Sequence, residues 1–93
     1  MSRRFVRADS IVERAIRGER ILVPLADQAE MLDSLYTLNE VAALIWDLAK
    51  SGITEEEIVG RITAEYDVEA DAARADAGRV LDELLAIGAL HAA

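Results

Sequence analysis

The side chains able to do covalent or metal chemistry are few in this chain of 93 residues. It has no cysteine, which removes thiolate nucleophiles, thiolate metal sites and disulfides. Its single histidine, His91, is the third-last residue, so neither a histidine-based triad nor a multi-histidine metal site can be assembled. The acidic runs Glu55-Glu56-Glu57 and Asp82-Glu83 read as favourable charge at a helix start and as a solvated helix face. These absences point away from an enzyme and from any bound cofactor or metal, and towards a domain that works by binding.

Charge narrows the partner. Residues 1–20 carry six arginines against three acids, whereas residues 21–93 carry four basic residues against fifteen acids; the whole chain is at −8. That balance disfavours a nucleic-acid backbone, which needs clustered Lys and Arg. It leaves residues 1–10 as a basic N-terminal arm ahead of one domain over residues 11–90. No apolar run approaches the ~20 residues of a membrane span, and Met1-Ser2-Arg3-Arg4-Phe5 lacks the apolar stretch of a secretory signal. A cytoplasmic location is the expectation. With hydrophobic residues at 53% but aromatics at 4%, the core has to be aliphatic, with Trp46 and Tyr66 as its anchors.

The elements that must position any site follow from periodicity. Ile11–Ile16 and Arg20–Leu25 are short and β-branched, joined by Arg17-Gly18-Glu19, where glycine supplies the turn geometry of a hairpin. Pairing should loosen at Pro24, which has no N–H to donate. After a polar loop, Leu32–Leu38 alternates, with Leu32, Ser34, Tyr36 and Leu38 on one face, and reads as a third strand. From Asn39, a good N-cap, the period becomes helical: Val41, Ala42, Leu44, Ile45 and Leu48 form a stripe that ends at Ser51-Gly52. Thr54 and Glu57 stand at capping-box spacing before a second helix. A third helix spans about Asp71–Ile87, with Ala73, Ala77, Val80 and Leu84 as its core stripe, and stops at Gly88. The prediction is a winged-helix-like α+β fold, a three-stranded antiparallel sheet followed by three helices.

Two functions suggested by single features are weaker. Asp33-Ser34-Leu35 is the tripeptide of acyl or peptidyl carrier proteins, whose serine bears phosphopantetheine. A carrier serine starts a helix after a preceding helix, however, and Ser34 falls in an alternating segment after two strands. A winged-helix DNA binder fits the topology, but Arg61 is the one basic residue of the second helix and the charge after residue 20 opposes it.

The strongest signal is an ordered string. Leu35-Tyr36-Thr37-Leu38-Asn39-Glu40-Val41-Ala42-Ala43-Leu44-Ile45-Trp46-Asp47-Leu48 runs from a strand into a capped helix. Thr54-Glu55-Glu56-Glu57-Ile58, Tyr66-Asp67-Val68 and a last helix ending near Gly88 follow. At these spacings the chain closely resembles the PqqD-like family over about residues 10–90. The loop Ala26–Met31 stands where the pyrroloquinoline quinone biosynthesis members have a Pro-Glu-Gly turn. The resemblance implies a non-catalytic adaptor in the biosynthesis of ribosomally made, post-translationally modified peptides. Such an adaptor binds the leader of a precursor peptide and presents it to a modifying enzyme, such as a radical SAM enzyme. The leader would add as a strand to the sheet edge Asp33, Ser34, Leu35, Tyr36, Thr37 and Leu38, beside the last helix.

On that helix a second stripe, Arg74, Gly78, Leu81 and Leu85, offers an apolar lining, and glycine at 78 would let a backbone come close. The alternative for Gly78 is tight packing on the protein's own first helix, and for Leu81 and Leu85 it is ordinary core. An exposed edge can also pair with a second copy, so the expected state is monomer or weak homodimer.

Overall fold

The computed structural model describes residues 3–24 and 36–93. Among these residues ten elements build two small antiparallel sheets and three helices. The first strand is β1 (Arg4–Arg7), followed by the hairpin β2 (Ile11–Ile16) and β3 (Glu19–Pro24), then β4 (Tyr36–Thr37). Helix α1 (Glu40–Leu48) runs through a 3₁₀ turn at Ala49–Ser51 into β5 (Ile53–Thr54) and α2 (Glu55–Glu65). Helix α3 (Ala70–Ala86) and β6 (Leu90–Ala92) complete the chain.

The expected three-stranded sheet is present, in the order β2-β3-β4. The two-residue hairpin connection places both Arg17 (φ 53°) and Gly18 (φ 82°) in the left-handed region, the signature of a type I′ turn. The helices begin where the caps predict. Asn39 Oδ1 accepts from the Ala42 N–H at 2.8 Å, and Thr54 and Glu57 close a reciprocal capping box. Gly88 follows α3 at φ 80°. Within the described residues the third strand is confined to Tyr36–Thr37; Asp33, Ser34 and Leu35 of the predicted edge lie outside them.

The N-terminal stretch departs from expectation. Instead of an arm outside the domain, residues 4–7 form the central strand of a second sheet, β5-β1-β6. Phe5 is fully buried there and pairs with Ile53 and Ala92. The physical reason is the aromatic: burying one of the few large side chains outweighs leaving four residues solvated. Gly52 lies against Arg4 and Val6 of this strand and takes φ 83°, a left-handed conformation in which a side chain would be strained.

The core is aliphatic around Phe5 and Trp46, as composition requires. Ile45, Ile58, Val80, Leu81, Leu84 and Leu90 are all shut off from solvent. Trp46 also joins the sheets to α1. Its indole N–H donates to Glu13 at 3.1 Å, and the Arg7 guanidinium stacks 4.1 Å from its ring while donating to the Trp46 carbonyl at 2.8 Å. Arg20 grips Glu13 at 2.6 Å and Asp47 at 2.6 Å. These bonds from Arg20 are the main reason that both carboxyls are held below their usual range. One network of five side chains thus ties β1, β2, β3 and α1 together.

Candidate peptide-binding edge

A strand can be added only where backbone groups are unpaired, so the register of β4 decides the question. β3 and β4 are antiparallel with Leu22 opposite Tyr36 and Ile21 opposite Thr37. The Leu38 N–H donates to the Arg20 carbonyl at 2.8 Å. Hydrogen-bonded and non-bonded pairs alternate along an antiparallel ladder. Tyr36 and Leu38 therefore turn their amides towards β3, and Thr37 turns its N–H and carbonyl the other way. No other described strand pairs with β4 on that side. Side chains alternate accordingly: Leu38 is buried, Tyr36 half-buried and Thr37 exposed.

Tyr36 fixes what stands beside this edge. Its hydroxyl donates to Glu83 Oε1 on α3 at 2.6 Å, and the other oxygen of Glu83 takes Arg79 at 3.3 Å. Burial, reinforced by Glu83, pushes the Tyr36 hydroxyl up to about 12, so it stays a donor at any physiological pH.

This bridge also sorts the residues predicted on α3. With 3.6 residues per turn, Arg79 and Glu83 lie on one flank of the buried stripe Ala73-Ala77-Val80-Leu84, and Arg74, Gly78 and Leu85 on the other. The first flank borders β4. The second faces α2, where Arg74 pairs with Glu56 at 3.3 Å. Arg74 is thus not brought to the strand edge, and Leu81 is fully enclosed in the core. Leu85 is half-buried against the same core. Gly78 does not pack tightly on α1: a Cβ there would meet nothing within 4 Å.

The residues the sequence reading passed over are Arg79 and Glu83. Glu83 read as solvated charge; only the opposition of its position to Tyr36, 47 residues away, gives it a role. A recess of about 530 Å³ between the end of α1 and α2, lined by Leu48, Ile53, Glu57, Gly60 and Arg61 among others, contains no residue of β4 or α3. Among the described residues no group of histidines and carboxylates is placed to hold a metal, and no helix is long and apolar enough to cross a membrane.

Comparison with known proteins agrees with this architecture. The family model for coenzyme PQQ synthesis protein D (PqqD) matches residues 19–90. The chain belongs to the PqqD family. Two solved structures share its fold. TbiB1, in complex with the TbiA(beta) leader peptide, is 29% identical over 92% of this chain and 94% of its own, with a TM-score of 0.74. Lasso peptide synthetase B1, complexed with the leader peptide, is 22% identical over 94% of this chain and 96% of its own, with a TM-score of 0.75. No curated protein matches the chain.

Proposed function

We propose that this PqqD-family chain binds the leader segment of a precursor peptide and holds it for a modifying enzyme, without catalysing a reaction itself. The observation that carries the reading is the edge of β4 at Thr37, on which no other described strand pairs, bordered by α3. An incoming strand satisfies the outward N–H and carbonyl of Thr37, and its inward side chains meet the Tyr36–Glu83–Arg79 bridge. The sequence expectation of an apolar lining at Leu81 and Leu85 gives way to this polar border, with Gly78 on the α2 side of the helix. The leader peptides in the two similar structures support the assignment of the ligand class. A radical SAM enzyme remains one candidate for the enzyme served.

Calorimetry tests the reading. A synthetic leader from a precursor peptide encoded beside this chain is expected to bind with one-to-one stoichiometry. The core segment of the same precursor is expected not to bind. Equal binding of the two would refute a leader-specific role.

A further inference from the structure

Two large hydrophobic side chains are conspicuously exposed among the described residues: Ile16 at 46% and Val68 at 42%. Their surroundings carry opposite charge. Ile16 stands at the tip of the β2–β3 hairpin between Arg14 and Arg17, with Glu19 as its cross-strand partner and the one acid of the tip, and residues 14–19 are all exposed. Among the described residues Arg14 and Arg17 make no ion pair, as Arg4 and Lys50 do not, whereas Arg3, Arg7, Arg20, Arg61, Arg74 and Arg79 each hold a carboxylate. Arg17 in addition occupies the left-handed region, which a residue with a Cβ adopts uncommonly, so the turn presents this cation at a conformational cost. Val68 stands at the corner between α2 and α3, flanked by Asp67 and Glu69. Both acids are exposed. Glu69 occupies the N-cap position of α3 without making a side-chain cap bond. No ion pair among the described residues uses Asp67 or Glu69.

We infer that the hairpin tip of one copy docks on the α2–α3 corner of a second copy, Ile16 against Val68, with Arg14 and Arg17 facing Asp67 and Glu69. The two patches differ, so the contact is head-to-tail and leaves one free tip and one free corner, which allows chains or a closed ring. Each patch centres on one apolar side chain, well short of the area of a stable dimer, so the association is weak and depends on charge attraction against the chain's overall −8. The surface is distinct from the β4 edge, and the inference does not depend on peptide binding.

Sedimentation velocity on the intact chain tests it. The weight-average mass is expected to rise with concentration up to about 1 mM in low salt. The rise should vanish in high salt, where screening shortens to a few ångströms. R14E/R17E and D67K/E69K, each checked for native circular dichroism, should both remain monomeric alone. Mixing the two should restore association, because every contact then has an opposite-charge partner. I16S should weaken association at least threefold without changing charge. A wild-type chain that stays monomeric throughout would overturn the inference. So would association that persists in both charge-reversed variants, which would place the contact at another surface such as the β4 edge, and so would a mixture that fails to associate.

Discussion

Thr37→Pro is expected to weaken leader binding by roughly tenfold or more while leaving the domain folded. The separation follows from the register. The Thr37 N–H points away from β3, so proline there removes no bond of the β2-β3-β4 sheet. It does remove the donor that an added strand requires, and its ring stands on the side the strand approaches. A lost backbone bond costs about 0.5–1.5 kcal/mol, and leaving the ligand carbonyl buried and unpaired costs about 1–3 kcal/mol more. The sum corresponds to a loss of roughly tenfold to a thousandfold in affinity. Thr37→Ala keeps the N–H and should bind like the wild type. Calorimetry with the leader, with thermal melts to confirm folding, measures both. Equal loss in the two variants would show that the Thr37 side chain, not its backbone, is recognised.

The second large effect is on stability. Trp46→Ala is expected to cost about 3–5 kcal/mol, the range for removing a buried aromatic. Trp46 is 2% exposed and is one of two large aromatic side chains in the core. Its loss also removes the N–H that Glu13 accepts and the ring on which Arg7 stacks. Burial of Arg7 is already the largest influence on its guanidinium, lowering its affinity for a proton, so an unsupported Arg7 adds to the damage. Urea denaturation measures the change. A midpoint shift equivalent to less than about 1 kcal/mol would mean that the core closes over the gap and that Trp46 is not its anchor.

What was legible in the sequence was local. Asn39, the Thr54–Glu57 pair and Gly88 set helix ends through contacts within a few residues, and the hairpin at Arg17-Gly18 is equally short-range. The second sheet was not legible. Its strands are four, two and three residues long, too short for a period, and its pairings join Arg4 to Thr54 and Val6 to His91. Nothing near Arg4 in sequence announces a partner fifty residues away.

The candidate site divides in the same way. Alternation put Tyr36 and Leu38 on one face and Thr37 on the other; the burial of Leu38 and the exposure of Thr37 show which face is inward. The wheel of α3 showed a second stripe at Arg74, Gly78, Leu81 and Leu85, but a helix wheel has no external reference. It cannot say which flank meets α2 and which meets β4. The Arg74–Glu56 and Tyr36–Glu83 contacts decide that, and they exchange the expected apolar border for a polar one.

The most direct test of the central claim is an amide chemical-shift titration of the labelled chain with its leader peptide. The largest changes are predicted at Tyr36, Thr37 and Leu38 and along the Arg79–Glu83 flank of α3. The Tyr36 hydroxyl contact to Glu83 should be altered in the complex. Changes concentrated instead around Arg61 and the recess between α1 and α2, with residues 36–38 unmoved, would contradict strand addition at β4.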